Sequence, residues 1–518
     1  MSGRKPPSSL FHLGLTVFVK HLMKVWIIQN QQVKEKFGLE IREFLSLCMP
    51  TVIADSLVLQ SVETYVQKLK CDADQELPDI SIFLQSIILP QLSILDLSKL
   101  VFLGVNHNEQ FENVIVSRLH SLGNLVRISL RTHGRDITLP VCTNHILELI
   151  GRNCPKLMSI DISYNSRVND VGLRYLVPCS KNPGCPLIQE IFVYECDVSL
   201  EGMAYILKTL SNICLVGYKE TGLVIKHLHT QLTRNNKHLE EGLKLTHVNN
   251  VGNISNQNSN CAHKLQFCER TVNAVRTLCP HLSNLKVRVV DDDVPKLEHF
   301  QSLTSLELIY NVGKPVSPGK GLKLFLKICG AQLNSLAIIC DVLHENQITM
   351  LGENCSHLKH LWLRCNSFVL CDVGLQHGNF LSKFRFSELE TLYFYVGETE
   401  YSTSILPLRV LQSMLCNTDK LKDLKLLARS ASVSDDWLSQ LFSSINTSVL
   451  KNLLISLPCR NLIHRAINLS MSSVHMIISC SPQLQKLRNL LVWNIRPEEA
   501  HKLQSDLDAS NFDLNIIY

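Results

Sequence analysis

The sequence predicts an α/β solenoid, in which short parallel strands alternate with helices and each repeat stacks on the next. An apolar triplet in the pattern LxxLxL recurs along the chain, for example Leu157, Ile160 and Ile162. Asn165 and then a helical pattern follow that triplet. A strand, an asparagine turn and a helix are the parts of a leucine-rich repeat. One such unit cannot bury its own apolar face, so the fold requires copies on both sides.

The copies are present as a long series of similar triplets. Their first residues are Leu92, Leu125, Leu157, Ile188, Leu210, Leu282, Leu303, Leu333, Leu358, Leu389, Leu421, Leu450 and Leu487. Isolated triplets are common by chance, whereas a series in near-constant phase is not. Typical repeats contain ~20–29 residues, and the longer steps in this chain leave room for a full helix.

The composition agrees with one long core and argues against several classes of protein. Of the 518 residues, 45% are hydrophobic and 19% are charged, and the net charge is +5. A nucleic-acid-binding protein would show a dense basic patch. A membrane-spanning helix needs ~20 consecutive apolar residues, and the apolar runs in this chain are shorter. We therefore expect neither nucleic acid nor a membrane among its partners.

The cysteines point to a reducing environment. All nineteen are scattered along the chain, and no secretory signal segment precedes them. We therefore expect reduced thiols and a location in the cytoplasm or the nucleus. Four cysteines stand in a Cys-Pro or Cys-Ser pair just before a predicted strand: Cys154, Cys279, Cys355 and Cys480. This position predicts a corner between helix and strand.

The domain organisation follows from where the triplets occur. Residues 1–75 lack them and predict a small helical module, and residues 76–518 form the predicted solenoid. The stretch at 246–263 is rich in Asn and Ser, which indicates a loop inserted between repeats. Residues 495–518 predict a last helix and an edge strand that close the C-terminal end.

The helical module contains three predicted helices. Leu10, Leu13 and Val17 recur at helical spacing in the first. A second helix is predicted over about residues 32–47. Pro50 suits the first turn of a third helix, where its missing N–H is no loss.

Two strings in this module resemble a known pair of motifs. The string from Ser9 to Phe18 is similar to the elongin-binding BC box, although Gly14 stands where that box usually has Cys. The string from Met49 to Leu57 is similar to the cullin-2 box. In this order the two strings resemble a VHL-type box. Joined to leucine-rich repeats, they resemble the Zyg-eleven-like substrate receptors of cullin-2 ubiquitin ligases.

The resemblance implies a function and a set of contacts. The chain would be the substrate-recognition subunit of a ubiquitin ligase, with elongin C, elongin B and cullin-2 as partners and a ribonuclease-inhibitor-like horseshoe as its solenoid. The implied elongin C contacts are Ser9, Leu10, Leu13, Gly14, Val17 and Phe18. The implied cullin-2 contacts are Met49, Pro50, Ile53 and Leu57.

Other interpretations of the module and the repeats stay open. The first helix could simply cap the first repeat, since terminal repeats need a cap. The string at Met49 also loosely resembles the start of an F-box, which would not need the first helix. The whole chain could be an interaction scaffold with no link to a ligase.

No chemistry is predicted. The sequence has no CxxC or HExxH metal motif, and no nucleophile, base and orienting group stand out. The glycine-rich string at 313–321 lacks the spacing of a phosphate loop. We therefore expect no cofactor and no enzymatic activity.

The target-binding surface is predicted from strand geometry. Side chains alternate across a strand. The residue between the second and third apolar residues of each triplet, and the residue after the third, therefore face the concave side. Two neighbouring repeats place Trp362 and Arg364 beside Tyr393 and Tyr395. Trp, Tyr and Arg are the residue types enriched at binding hot spots. The same row of aromatic residues could instead pack on an inserted loop or on nothing.

Overall fold

The computed structural model forms two compact units. The N-terminal unit contains residues 8–253 and 273–281, and the C-terminal unit contains residues 254–272 and 282–518 together with residues 1–7. The structure describes residues 10–28, 31–71, 80–99, 108–132, 142–180, 182–235, 242–250, 269–310, 317–370, 386–397, 407–428, 433–456, 467–509 and 514–517. The predicted boundary between residues 75 and 76 lies outside these residues.

Three long helices open the N-terminal unit, as the sequence predicts. They are α1 (Leu10–Ile28), α2 (Gln31–Cys48) and α3 (Thr51–Cys71). The carbonyl of Pro50, just before α3, accepts hydrogen bonds from the amides of Ile53 and Ala54, so the proline stands at the helix start. Helix α1 packs against α3, and α3 contacts the first strand of the repeats. The module therefore covers the open end of the repeats, which agrees with a capping role.

The repeats of the N-terminal unit form a parallel sheet in chain order. Its strands are β1 (Ile94–Asp96), β2 (Arg127–Ser129), β3 (Ser159–Asp161), β4 (Glu190–Phe192) and β5 (Leu215–Gly217). Leu95, Ile128, Ile160, Ile191 and Val216 lie opposite one another in register, and all are buried. Helix α4 (Ile80–Ile87) precedes β1, and one helix follows each strand: α5 (Asn108–Leu119), α6 (Asn144–Asn153), α7 (Asp170–Arg174), α8 (Leu200–Thr209) and α9 (Thr221–Arg234). The strand β6 (His247–Asn250) and the helix α10 (Glu269–Leu278) follow.

The C-terminal unit has the same pattern, and all its strands except the last two are longer than those of the first sheet. These are β7 (Asn284–Val289), β8 (Ser305–Tyr310), β9 (Ser335–His344), β10 (His360–Val369), β11 (Thr391–Val396), β12 (Asp423–Ala428), β13 (Asn452–Ser456), β14 (Lys486–Arg488) and β15 (Asn515–Ile517). Each strand pairs in parallel with the next in chain order. The helices are α11 (Lys320–Cys329), α12 (Glu345–Asn354), α13 (Leu408–Leu415), α14 (Asp435–Ser444), α15 (Met471–Cys480) and α16 (Pro497–Ala509).

Consecutive parallel strands with helices between them make both units leucine-rich-repeat solenoids. The middle residues of the triplets lie in one column of the C-terminal core: Leu285, Leu306, Leu336, Leu361, Leu392, Leu424, Leu453 and Leu487. The predicted horseshoe shape stays a prediction. The predicted final helix and edge strand are present as α16 and β15.

The predicted triplet that begins at Leu210 is in the wrong register. Val216, and not Ile213, lies opposite Ile191, so the triplet is Ile213, Val216 and Tyr218. Leu210 caps the C-terminal end of α8, where its amide donates a hydrogen bond to the carbonyl of Ile206. The sequence offers apolar residues in both phases, and the helix end decides between them.

The last triplet begins three residues earlier than predicted, at Leu484 instead of Leu487. Leu487 pairs with Leu453 and is therefore the middle residue of its triplet, which begins at the buried Leu484. Asn489 follows with a left-handed backbone, φ 65°, and Leu490 is the first residue of a short 3₁₀ turn. Leu490 and Val492 therefore belong to a turn and not to the strand. The prediction was wrong because these apolar residues have the same spacing as a triplet.

Three of the four predicted corner cysteines lie at a corner between helix and strand, and the fourth does not. Cys154, Cys279 and Cys355 are buried at the ends of helices, as predicted, but Cys480 is exposed. Its place is taken by Ser481, whose amide closes the end of α15 by bonding to Ile477. The corner residue is therefore the one three positions before the triplet, whether it is cysteine or serine.

The start of the predicted loop insertion at 246–263 is a strand in the structure. Residues His247–Asn250 form β6 rather than a loop. The remaining part, residues 251–263, lies outside the described residues.

Asn165 is buried and joins three parts of the N-terminal unit. Its side-chain amide donates to the carbonyls of Leu130 and Ile162, and its side-chain oxygen accepts from the amide of Cys142. The asparagine therefore satisfies backbone groups that the turn after the strand leaves unpaired.

Replacing Leu361 with Ala should lower the free energy of unfolding by about 2–5 kcal/mol, because a leucine is removed from a close-packed column. Chemical denaturation measures the change. Exposed His360 on the same strand supplies the control, since His360→Ala should change the stability by less than about 0.5 kcal/mol. Equal effects from both variants would contradict the observed strand orientation.

Replacing Asn165 with Ala should destabilise the protein by roughly 1–3 kcal/mol per orphaned buried group. The expected loss comes from the Leu130 carbonyl and the Cys142 amide, which lose their Asn165 partner. The Ile162 carbonyl keeps only the weaker hydrogen bond from the Cys196 thiol. Thermal unfolding of Asn165→Ala is compared with that of Asn124→Ala, which removes an exposed asparagine. A melting temperature equal to that of the control would show that water satisfies these groups instead.

Candidate protein-binding surfaces

Helix α1 leaves part of its apolar sequence in solvent. Its buried face is Leu15, Val19, Leu22 and Met23. On the other side Leu13, Val17 and Phe18 are exposed, and the Val17 side chain keeps 65% of its surface accessible. Nothing lies within 4 Å of the position where Gly14 would carry a Cβ. The four positions therefore form an open apolar surface on α1, which we call the α1 face.

The structure does not give the side-chain exposure of Ser9 and Leu10, the other two residues implied by the BC-box resemblance. Ser9 lies outside the described residues, and Leu10 is the first residue of α1. The structure therefore places four of the six implied elongin C contacts together on one exposed helix surface.

The residues implied by the cullin-2 box are divided between surface and core. Pro50 is exposed, and Met49 and Ile53 are half-buried. Leu57 has 0% of its surface accessible and belongs to the core of the N-terminal unit. The expectation that Leu57 contacts a partner directly is therefore not compatible with this structure, because its helix turns it inward.

Sequence reasoning missed more exposed apolar residues beside Pro50. Phe44 and Leu47 near the end of α2 and Val52 at the start of α3 are all exposed, and Leu47 keeps 86% of its surface accessible. Residues three apart share one face of a helix, so the spacing of Phe44 and Leu47 was the available signal. These three residues form a second apolar surface, which we call the α2–α3 corner.

The predicted patch on the strands of the C-terminal unit is present. Along β10, Leu361, Leu363 and Cys365 are buried, while Trp362 and Arg364 are exposed. Trp362 lies opposite Tyr393 and Arg364 lies opposite Tyr395 in the parallel register of β10 and β11. We call these four residues the aromatic patch.

The four side chains of the aromatic patch contact one another in pairs. The ring centroids of Trp362 and Tyr393 are 4.4 Å apart. The guanidinium of Arg364 lies 4.9 Å from the ring centroid of Tyr395, within cation–π range. Burial raises the pKa of the Tyr393 phenol, and the nearby Arg364 charge opposes this. The phenol therefore stays protonated at neutral pH and can donate a hydrogen bond.

The aromatic patch lies between small and aliphatic neighbours. On β9, Ala337 lies opposite Trp362, and Ile339 lies opposite Arg364. On β12, Lys425 lies opposite Tyr393, and Leu427 lies opposite Tyr395. Because Ala337 is short, one side of the Trp362 ring is left open, and this residue keeps 49% of its surface accessible.

Within the described part of the chain, no group of three or more His, Cys, Asp or Glu residues could hold a metal ion. No described helix is both long and apolar enough to cross a membrane. Cys154 and Cys355 are free thiols, and burial raises the pKa of each to about 12. These two thiols are therefore protonated and poorly nucleophilic at neutral pH.

Comparison with known proteins gives distant structural likenesses. No family model matches the chain, and no curated protein matches it. The yeast Rad7 and Elc1 complex contains a chain that is 11% identical, with a TM-score of 0.41, and the match covers 99% of this chain and 98% of that one.

Two further solved structures are similar. The TLR13–ssRNA13 complex matches at 14% identity and a TM-score of 0.32, over 78% of this chain and 58% of that one. A leucine-rich-repeat protein of Leptospira interrogans matches at 13% identity and a TM-score of 0.27, over 82% and 95%. These TM-scores are too low to assign the chain to any of the three.

Maleimide should label the native protein at the exposed Cys48, Cys179 and Cys480 and leave Cys154 and Cys355 unmodified, because only an accessible thiolate reacts. Mass spectrometry of proteolytic fragments identifies the labelled sites. Labelling in denaturant is the control, and there all five thiols should react. Modification of Cys355 at the rate of Cys480 in the native protein would contradict the corner geometry.

Proposed function

We propose that this chain is the substrate-recognition subunit of an elongin BC and cullin-2 type ubiquitin ligase. In this proposal the α1 face binds elongin C, and the aromatic patch binds the target protein. The observation that carries the proposal is the exposed apolar side of α1, at positions that match the BC-box spacing. A separate hot-spot surface on the repeats gives the target a place of its own.

The α1 face suits a helix that lies in an apolar groove. Such helices present residues at positions i, i+3, i+4 and i+7 to their partner, and Leu10, Leu13, Gly14 and Val17 have this spacing. Contiguous exposed apolar surface on a water-soluble protein commonly marks an interaction site. The opposite side of α1 is fixed on the protein by Val19 and Met23, so the helix can be bound without leaving its unit.

The α2–α3 corner is the best-supported contact for cullin-2. It adjoins Met49 and Pro50 of the cullin-2-box string and is more exposed than Ile53 or Leu57. The contact would therefore be made by Phe44, Leu47 and Val52 around Pro50. Leu57 would act from inside, by holding α3 in place.

The proposed receptor makes and breaks no bond. By holding the target and the ligase core at once, it raises the effective concentration of the target near the transferase. No enzymatic activity of its own is needed, and the proposed place of action is the cytoplasm or the nucleus.

Two other functions predict different partners. An F-box-like receptor would use the segment around Pro50 and would not need the α1 face. An interaction scaffold without a ligase would use the aromatic patch alone. Co-purification with elongin B and elongin C separates the proposed function from both.

Replacing Val17 with Asp should lower elongin C binding by roughly tenfold or more, because an unpaired carboxylate in an apolar groove costs several kcal/mol. Affinity purification with purified elongin B and elongin C measures the loss. Val171→Asp is the matched control, since Val171 on α7 has 55% of its surface accessible and belongs to no proposed surface.

The folded state of the Val17→Asp variant is checked by circular dichroism. Val19→Asp, two residues along α1, should disrupt the packing of α1 because Val19 is buried. Elongin C binding by Val17→Asp at the level of Val171→Asp would reject the α1 face as the adaptor site. No elongin C binding by the unaltered chain would reject the proposed function.

Replacing Trp362 and Tyr393 together with Ala should weaken target binding by at least ~2 kcal/mol, as for a hot-spot pair, while elongin C binding persists. Cross-linking and mass spectrometry in cells compare the partners of the two forms. The control is the double variant Leu324→Ala, Ile328→Ala, which truncates two exposed apolar residues on α11. Loss of the same partners in the control would show that the effect is not specific to the aromatic patch.

A further inference from the structure

The exposed side of the sheet in the C-terminal unit carries more positive than negative side chains. We call this surface the strand face; it consists of the residues of β7 to β14 that alternate with the buried triplet leucines. Its cationic residues are Lys286, Arg288, Arg364, Lys425, Lys486 and Arg488. Its acidic residues are Glu307, Asp341 and Asp423. Twice as many cations as carboxylates leave the surface electropositive.

All three carboxylates of the strand face already have partners. Asp341 accepts a hydrogen bond from the Asn366 side-chain amide at 2.7 Å. Glu307 forms an ion pair with Lys286 at 2.8 Å, and Asp423 accepts a hydrogen bond from the Asn452 amide. Within the described residues, Arg288, Arg364, Lys425, Lys486 and Arg488 have no carboxylate within ion-pair distance. Their charges are therefore available to an outside ligand.

Two of these arginines have a guanidinium nitrogen that is shielded from water and has no hydrogen-bond acceptor within the described residues. The Nε atoms of Arg288 and Arg488 are buried from solvent and have no hydrogen-bond partner within the described part of the chain. Buried N–H groups are nearly always paired in folded proteins. A carboxylate is the acceptor that matches a guanidinium best, because it can accept two parallel hydrogen bonds.

The spacing of the cations suits an extended ligand that crosses the strands. Neighbouring strands lie ~4.8 Å apart, so the seven steps from β7 to β14 place Arg288 and Arg488 about 34 Å apart. A fully extended peptide covers at most ~3.3–3.6 Å per residue, so about ten residues span this distance. The aromatic patch lies between the two arginines, at β10 and β11.

We propose that the strand face binds an extended acidic peptide segment of the target with an aromatic or large apolar side chain near its centre. That side chain lies on Trp362 and Tyr393, and its flanking carboxylates pair with Arg364 and Lys425. Carboxylates further along the segment reach Arg288 and Arg488. This inference rests on the aromatic patch being the target site of the proposed function, and it names the class of segment that the site takes.

A peptide fits this surface better than a nucleic acid does. The cations are separated by apolar side chains, Ala337, Ile339, Leu427 and Leu454, rather than forming a continuous basic stripe that tracks phosphates. Trp362 also lies against Tyr393 instead of standing alone as a platform for a base. Alternating charge and apolar surface matches a segment whose side chains are of both kinds.

The test is selection from a displayed library of random peptides of about twelve residues, a length that spans the strand face. The full chain is the bait, in three forms: unaltered, Arg364→Gln with Lys425→Gln, and Lys323→Gln with Lys327→Gln. The last form removes the same charge from α11 and is the matched control. A representative selected peptide is then measured by fluorescence anisotropy at low and high salt, beside a fluorescent oligouridylate of equal length.

The expected result is enrichment of peptides with Asp or Glu on both sides of an aromatic residue. The affinity of the representative peptide should fall about tenfold or more in the Arg364 and Lys425 variant, as for the loss of two charge-assisted contacts, and stay unchanged in the α11 control. It should also fall at high salt.

Three results would overturn the inference: no enrichment of acidic peptides, equal binding by all three forms, or tighter binding of oligouridylate than of the selected peptide. The elongin experiment is independent of these outcomes. If the chain binds elongin C but selects no acidic peptide, the proposed function stands and the inference about acidic peptides is wrong.

Discussion

The structure depends on the mutual burial of the triplets. The leucine at the middle of each triplet, such as Leu361, is covered by the equivalent residues of the repeats on either side, Leu336 and Leu392. No repeat has a closed core of its own, so every repeat is stable only within the stack. The two ends need other cover, and α1 to α3 supply it before the first repeat. At the other end α16 packs with β15.

A second set of contacts aligns the helices. In several repeats a carboxylate at the start of one helical segment accepts hydrogen bonds from the residue that caps the next. Asp170 accepts from the amide and hydroxyl of Ser199, and Asp435 does so from Ser470. Beside Asp170, a Cβ on Gly202 would lie 2.1 Å from the carboxylate oxygen, so a larger residue there would displace the carboxylate from Ser199. These contacts fix the helix spacing just as the backbone ladder fixes the strand spacing.

This division of roles leaves the exposed side of the strands free to carry function. Inward positions must be aliphatic because they fill the shared core, whereas outward positions have no such constraint and can be aromatic or charged. The regular ladder then brings residues about thirty positions apart in the chain into contact, as with Trp362 and Tyr393. The same ladder sets the spacing of Arg288, Arg364 and Arg488 along the strand face. A binding surface of defined spacing thus follows from the core repeat and the choice of outward residues.

The sequence by itself determined the repeat, the helical module and the aromatic patch, because each depends on a local pattern and the ladder extends that pattern in a constant step. It did not determine the register at Leu210 and Leu487, where apolar residues occupy two possible phases and the end of the preceding helix decides between them. Nor did it separate the buried Leu57 from the exposed Leu47 and Val52. All three are apolar residues of helices, and only the packing of those helices on one another decides which of them face water.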